Sequence, residues 1–217
     1  TDSDYVTQDM IDGLIEKYPD EVTGIAAQNY LGSGTIKDDA DSKNYANVNI
    51  DGITPEYLEY MKLEMHAGRN LTKADNQGKK RVCLIADTMA ERYFAGKDPI
   101  GETLSVATSD GGIFDFVVVG VYVYNQALFG KVDTSIPEKD RVTELMIPLQ
   151  TCFKLQGTDR TGYDYFNLMI DPLADVNQAT TDVLSYFDEM YANNKNFHVS
   201  AYNMASDLGM INTVLNV

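Results

Sequence analysis

The residues of this sequence that could act as nucleophiles or general bases are few, and they are not arranged for catalysis. The chain contains two histidines, His66 and His198, and two cysteines, Cys83 and Cys152. A catalytic serine or cysteine needs a base within hydrogen-bond reach, and no serine lies in the G-x-S-x-G pattern of such a nucleophile. We therefore interpret both histidines as exposed or structural side chains. For the two cysteines we favour buried free thiols, with a disulfide as the alternative.

Metal ligands and phosphate-binding loops are not predicted either. Zinc sites need clustered histidine and cysteine, which are scattered singly here. Asp39 and Asp41 begin like a calcium loop, but Lys43 stands where a third oxygen ligand belongs. The glycines of residues 32–34 and 96–101 lack the spacing of nucleotide-binding loops. The sequence thus predicts no catalytic, cofactor-binding or metal-binding residue.

The charge balance narrows the classes of partner. Seventeen Lys and Arg against 33 Asp and Glu give a formal net charge of −16. Nucleic-acid binding needs cations that displace the counterions of the phosphate backbone, so we exclude a nucleic-acid partner. We favour an acidic surface that keeps the protein in solution, with attraction of a cationic peptide as the alternative.

Hydrophobic periodicity predicts the elements that must position any site. Apolar residues that alternate or run together predict strands at residues 22–27, 46–50, 82–85, 104–106, 114–124, 145–148, 166–170 and 197–201. Helical spacing predicts helices at 7–18, 54–61, 88–94, 183–191 and 205–217, and polar composition predicts loops at 32–34, 37–44 and 125–141. Strands and helices without strict βαβ alternation indicate an α+β fold.

Three threonines are predicted to begin helices. Thr7 precedes the first apolar stripe, and Thr54 precedes Pro55, which suits the first helical position. Thr88 and Glu91 have the spacing of a capping box.

Five short segments in the middle of the chain contain residues whose roles we interpret as structural and not catalytic. They are the segments 50–58, 63–75, 90–104, 114–121 and 146–149. We expect the structural positions within them to be Pro55, Tyr57, Gly68, Arg69, Asp75, Phe94, Gly96, Pro99, Gly101, Gly120 and Pro148.

Physical reasons can be given for several of these positions. Gly68 and Gly101 are predicted where a Cβ atom would clash, and Gly120, inside a long strand, predicts a bulge or close backbone packing. Arg69 and Asp75 are predicted to form an ion pair that holds a loop.

The order of these segments, over about residues 46–149, resembles the MacB-like periplasmic core domain of ABC transporter permeases. The sequence departs from that pattern in small ways. Glu102 stands at a usual Lys or Arg, Ala95 is inserted before Gly96, and an insertion follows Tyr124. The resemblance assigns no catalytic residue to this domain.

The resemblance implies a fold in two parts. A porter-like α+β subdomain would be built from both ends of the chain, residues 1–79 and 159–217. A smaller mixed α/β subdomain of the Sabre-like kind would be inserted at residues 80–158. Both ends of the chain, from Thr1 and to Val217, would leave on the face towards the membrane.

The resemblance also implies a function. The domain would lie on the extracytoplasmic side of a bacterial cell membrane, tethered by flanking transmembrane helices of the same chain. Its partners would be a second permease copy, a cytoplasmic ABC ATPase and an adaptor protein. It would relay ATP-driven motion for efflux of drugs, antimicrobial peptides or lipoproteins, without enzymatic activity or cofactor of its own.

Two other functions stay open at this point. A free-standing extracytoplasmic module could capture a cationic peptide or a lipid, which would require a deep apolar pocket with convergent polar groups. A hydrolase with an unrecognised site would require a cleft with strongly perturbed titratable groups.

Overall fold

The structure, a computed structural model, describes residues 4–38, 41, 43–125, 128–129, 135–158, 160–195 and 197–201. Its helices are α1 (Gln8–Lys17), α2 (Tyr57–Tyr60), α3 (Lys73–Gln77), α4 (Asp87–Phe94), α5 (Leu149–Leu155) and α6 (Val176–Tyr191). Its strands are β1 (Val22–Ala26), β2 (Gln28–Lys37), β3 (Tyr45–Ile53), β4 (Met65–Gly68), β5 (Val82–Ala86), β6 (Thr103–Thr108), β7 (Ile113–Tyr122), β8 (Val142–Pro148) and β9 (Asn167–Ile170). The predicted α+β class is confirmed.

These elements divide into two compact units. The described residues of Thr1–Ile25 and Gly162–Val217 form one, which we call the terminal unit, and those of Ala26–Thr161 form the other, the middle unit. Within the part of the chain that the structure describes, no helix combines the length and apolar composition needed to cross a bilayer.

The terminal unit consists of helices α1 and α6 and the two-stranded sheet of β1 and β9. The hydroxyl of Thr7 accepts a hydrogen bond from the backbone N–H of Met10, so the predicted cap of α1 is confirmed. Asp175 caps α6 in the same way, and the Tyr186 hydroxyl donates to the Met10 carbonyl at 3.0 Å. Both helices bury one apolar face at helical spacing, through Ile11, Leu14, Ala179, Val183 and Phe187.

The strand pairings of the middle unit close on themselves. Neighbouring strands follow the order β4-β7-β5-β8-β3-β2-β6, and β6 also pairs with β7. Six strands therefore form a ring, while β4 extends β7 beyond it. Pairing is parallel between β3 and β8 and between β5 and β7, and antiparallel elsewhere. Alternate residues of the ring strands are buried, as period-2 side chains require: Ala46, Val48, Ile50, Leu104, Val106, Phe116 and Val118.

Helix α5 packs against β3 at a glycine. A Cβ atom built at Gly52 would lie 2.3 Å from Cβ of Cys152, so the close approach of helix and strand depends on the missing side chain. The amide of Asn29 donates to Cys152 Sγ at 3.3 Å. Cys83 and Cys152 are both free and buried, which confirms the predicted buried free thiols.

The loop predicted at residues 32–34 is wrong, because β2 runs through it. This strand pairs with β3 from Gln28 to Lys37 and with β6 at Gly34–Ile36. A Cβ atom at Gly34 would lie 2.8 Å from the carbonyl oxygen of Ala107, so glycine permits the close backbone approach at this pairing.

Two of the predicted helix caps are also wrong. Helix α2 has Glu56 as its N-cap residue, and the Thr54 hydroxyl instead accepts from the backbone N–H of Ala27 at 3.0 Å. Helix α4 has Ala86 as its N-cap residue, which places Thr88 inside the first turn. The hydrogen bond between Thr54 and Ala27 accounts for the first difference. The second arises because β5 ends at Ala86 and α4 begins at the next residue.

Other elements differ from the predicted ones. Helices α3 and α5 were not predicted, and residues 197–201 form neither strand nor helix. The predicted helix at 205–217, Thr1 and Val217 lie outside the described residues, as do parts of the predicted loops.

The compact units do not follow the expected subdomain boundaries at residues 79/80 and 158/159. The middle unit begins at Ala26 and ends at Thr161. The physical reason is that β2 and β3 close the ring with strands β5 to β8, so a boundary after residue 79 would cut through paired strands.

Candidate functional site

Two glycines fix the place where β4 meets β7. Gly68 and Gly120 are register partners, and β7 is irregular where it passes Gly120. A Cβ atom at Gly68 would lie 2.4 Å from the carbonyl oxygen of Val119, and one at Gly120 would lie 2.3 Å from the carbonyl oxygen of Arg69. Gly68 also has φ +71°, a conformation that side chains disfavour. Both glycines therefore allow two backbones to touch.

The residue after this contact reaches a buried carboxylate. Arg69 Nη1 donates to Asp75 Oδ2 at 2.6 Å, and Lys80 Nζ donates to Asp75 Oδ1 at 3.1 Å. Asp75 itself is fully buried, whereas the side chains of Arg69 and Lys80 are about half exposed. The predicted Arg69–Asp75 pair is present, with a third charged partner that the sequence did not indicate.

Asp75 is also the third residue of helix α3 and completes the cap formed by its N-cap residue, Thr72. Its carboxylate accepts from the backbone N–H and the hydroxyl of Thr72, while the Thr72 hydroxyl accepts from the Asp75 N–H, which completes a capping box. Burial alone raises the pKa of Asp75, but the hydrogen bonds from Arg69, Thr72 and Lys80 together outweigh it and hold the pKa well below its usual range.

The turn after α4 packs beside Gly68. The Cδ1 atom of Ile100 would lie 2.7 Å from a Cβ at Gly68. Gly101 donates its N–H to the Val118 carbonyl at 2.8 Å, which ties the turn to β7. A Cβ atom at Gly101 would meet nothing within 4 Å, and its φ is +88°, so its glycine is required by conformation and not by the predicted clash.

The segment 50–58 also contacts residues that are close to Gly68 in the chain. The Asn70 amide donates to the Pro55 carbonyl at 2.8 Å, and the Tyr57 hydroxyl donates to Gln28 Oε1 at 2.8 Å. Burial raises the pKa of Tyr57 to about 12. Of the eleven expected positions, the structure links Pro55, Gly68, Arg69, Asp75, Pro99, Gly101 and Gly120 through direct or neighbouring contacts, and we call these residues the Gly68 corner.

Tyr57 is the first residue of α2, and the other three expected positions lie at or near the ends of elements elsewhere in the middle unit. Phe94 is the last residue of α4, and Gly96, with φ +85°, follows the left-handed Ala95. Pro148 ends β8 and is the N-cap residue of α5.

Perturbed carboxyl groups lie on β3 and β8. Asp51 and Glu144 are on the same face, because Asn49 is the register partner of Glu144 and Asp51 lies two residues further along. Burial raises the pKa of Asp51, and burial together with the charge of Asp51 raises the pKa of Glu144 to about 7. The Tyr122 hydroxyl donates to the Glu144 carbonyl at 2.8 Å. These groups meet tyrosines and amides, and neither histidine is among their neighbours in the described residues.

The raised pKa of Glu144 gives a prediction with a definite sign. The folded state binds more protons than the unfolded state between about pH 4.5, the ordinary value, and about 7. Ionisation of Glu144 therefore lowers the free energy of unfolding as pH rises through that window. Because the side chain is only partly buried, we expect Glu144→Gln to raise the free energy of unfolding by about 1–2 kcal/mol at pH 8 and by about 0 at pH 4.5.

Urea unfolding of both proteins at the two pH values measures this effect. Glu102→Gln, at an exposed position, removes the same charge from the acidic chain and should change the free energy of unfolding by less than about 0.5 kcal/mol at either pH. An equal gain for Glu102→Gln would show that net charge, and not the environment of Glu144, causes the effect.

The histidines and the acidic loop lie apart from these groups. His66 lies on β4 and is exposed, and His198 is exposed near the end of the described chain. Asp39 lies outside the described residues. Among the described residues, no group of three or more histidine, cysteine or acidic side chains could hold a metal ion.

Solved structures share this fold. The periplasmic region of MacB from Actinobacillus actinomycetemcomitans superposes with a TM-score of 0.61 at 19% identity, over 95% of this chain and 83% of that one. The extracellular domain of the noncanonic ABC-type transporter YknZ from Gram-positive bacteria gives 0.58 at 19% identity, over 91% and 90%. A domain of a putative permease protein from Porphyromonas gingivalis gives 0.51 at 15% identity, over 94% and 86%.

Comparison with curated proteins gives no match. Residues 1–186 match the family of the MacB-like periplasmic core domain. These residues include the whole middle unit and the Gly68 corner. The chain belongs to the family of MacB-like periplasmic core domains.

Proposed function

We propose that this domain is the extracytoplasmic part of an ABC transporter permease, tethered to a bacterial cell membrane by transmembrane helices of the same chain. Family membership supports the proposal, as does the likeness to the periplasmic region of MacB and to the extracellular domain of YknZ, an ABC-type transporter.

The proposal is supported most directly by which parts of the chain build the two units. Residues before Ile25 and after Gly162 together build the terminal unit, while one uninterrupted stretch builds the middle unit. Two membrane helices of the same chain would then both join the terminal unit. We further propose that the porter-like subdomain includes the terminal unit and that the Sabre-like subdomain, expected at residues 80–158, belongs to the middle unit.

The domain relays motion and performs no chemistry of its own. A cytoplasmic ABC ATPase supplies the energy, a second permease copy completes the transporter, and an adaptor protein extends it. The Gly68 corner suits such a relay, because backbone contacts at Gly68 and Gly120 and the buried Asp75 hold the β4–β7 junction rigid. The transported substrate would be a drug, an antimicrobial peptide or a lipoprotein.

The side of the membrane can be tested with one cysteine. Leu173 in the terminal unit is 97% exposed, whereas Cys83 and Cys152 are 0% exposed. We expect Leu173→Cys in the full-length protein to react with a membrane-impermeant maleimide in intact spheroplasts. The chain without the substitution, which has only buried thiols in the described residues, is the matched control and should stay unlabelled.

Labelling of Leu173→Cys that requires lysis of the spheroplasts would place the domain in the cytoplasm and overturn the proposal. Co-purification of an ABC ATPase with the detergent-solubilised full-length protein tests the relay separately, since a free-standing binding module would bring down no ATPase.

A further inference from the structure

A pocket with two arginines lies at one end of the strand ring. Strands β5 and β8 run antiparallel, so the carboxyl end of β5 lies beside the amino end of β8. Helix α4 starts directly after β5 and carries Thr88 and Arg92, while Arg141 immediately precedes β8. These three residues line the pocket together with Tyr124, Glu138 and Thr143.

The pocket contains a buried donor without an acceptor among the described residues. Nε of Arg141 is shielded from solvent and has no hydrogen-bond partner among the described residues. Thr143, which is 8% exposed, lines the same pocket and carries a hydroxyl that can donate a hydrogen bond. A buried polar group without a partner costs free energy, so the Arg141 side chain favours a ligand that accepts hydrogen bonds.

Arg92, which also lines the pocket, is held in place. Its Nη1 donates to the Tyr45 carbonyl at 2.6 Å, which uses one of five guanidinium N–H donors. A second arginine is therefore positioned before any ligand arrives, and pre-positioned donors reduce the entropy lost on binding.

The charges select the class of ligand. Two of the five arginines in the sequence line this pocket, and Glu138 leaves it one net positive charge in a chain of net charge −16. One positive charge balances a monoanion, whereas a phosphate dianion would keep one uncompensated negative charge, which the acidic protein would repel. Guanidinium groups bind carboxylates through two parallel hydrogen bonds.

We propose that this pocket binds a single carboxylate group, with Arg141 and Thr143 as direct donors and Arg92 as the second cation. The inference does not depend on the transport function, because it rests on the lining residues alone.

N-acetylglycine, which carries one carboxylate, is the probe, and its neutral amide, N-acetylglycinamide, is the matched ligand. Two-dimensional amide NMR of the purified chain at low salt should show N-acetylglycine shifting the resonances of Arg92 and Thr143 with a millimolar Kd. The neutral amide should leave them unchanged, and inorganic phosphate should bind more weakly.

Arg141→Gln should weaken N-acetylglycine binding at least about tenfold without lowering Tm, because the Arg141 side chain has no hydrogen-bond partner among the described residues. Arg81→Gln removes the same charge from an exposed residue just before β5, at the other end of that strand, and should change Kd by less than about twofold. Absence of saturable binding to the unsubstituted chain, equal weakening by Arg81→Gln, or tighter binding of phosphate would each overturn the carboxylate assignment.

Discussion

Gly68→Ala should lower the free energy of unfolding of this domain by about 2–5 kcal/mol. Two separate costs add at this residue. Its φ of +71° costs an L side chain about 1–2 kcal/mol, and the new Cβ would lie 2.4 Å from the Val119 carbonyl oxygen and 2.9 Å from the Gly120 Cα. Neither neighbour can move as a flexible side chain would, so overpacking adds about 1–3 kcal/mol.

Gly101→Ala is the control that separates the two costs. Gly101 has a similar φ, +88°, but a Cβ atom there would meet nothing within 4 Å. We expect this variant to lose only the conformational part, about 1–2 kcal/mol. Urea unfolding followed by circular dichroism measures both, and an unchanged m-value would show that the change lies in stability. Equal losses for the two variants would mean that the β4–β7 contact relaxes without cost.

The sequence predicted strands well where burial alone defines them. Strands β3, β7 and β8 each carry several buried apolar residues at alternate or consecutive positions, and all were predicted. Strand β2 was missed because Gly32, Ser33 and Gly34 disfavour strands locally, whereas β3 and β6 pair with it on either side. Tertiary pairing overrides local propensity in this strand.

Short helices escaped prediction for a different reason. Helix α3 has five residues and α5 has seven, which is too few for an apolar period to emerge. The Thr72–Asp75 capping box of α3 could have been recognised, although aspartate takes the place of the usual glutamate or glutamine. The error at Thr54 could not have been avoided, because its partner, Ala27, is distant in sequence.

The sequence predicted the individual residues of the Gly68 corner, but it did not predict that they lie close together. The sequence indicated which glycines and which ion pair matter, since each segment is local. It could not indicate that Gly68 and Gly120 face each other, because their contact depends on the register of β4 and β7. The carboxylate pocket was missed entirely, since Arg92 and Arg141 are brought together only by the antiparallel pairing of β5 and β8.

Asp75→Ala should lower the free energy of unfolding by about 3 kcal/mol, the second large effect. The substitution removes the capping box of α3, worth about 1 kcal/mol, and the acceptor of two charge-assisted hydrogen bonds from Arg69 and Lys80. Loss of one partner from a fully buried ion pair costs about 3–5 kcal/mol. We expect the lower end, because Arg69 and Lys80 are about half exposed and water can solvate them once Asp75 is gone.

The effect should depend on pH with a sign opposite to that of Glu144. Hydrogen bonds hold the folded-state pKa of Asp75 well below its ordinary value of 3.8, so the unfolded state binds more protons at acidic pH. The stabilisation by Asp75 is therefore complete above about pH 5 and declines as pH falls below about 4. Urea unfolding at pH 7 and at pH 3 should show the difference between Asp75→Ala and the unsubstituted chain shrinking at the lower pH.

Two further variants isolate the cause. Asp75→Asn keeps an oxygen that can accept from Thr72 but loses the charge, so it should fall between Asp75→Ala and the unsubstituted chain at pH 7. Gln77→Ala changes an exposed residue of the same helix and should cost less than about 0.5 kcal/mol. If Asp75→Asn matched the unsubstituted chain, the ion pairs with Arg69 and Lys80 would contribute nothing and the stabilising element would be the helix cap alone.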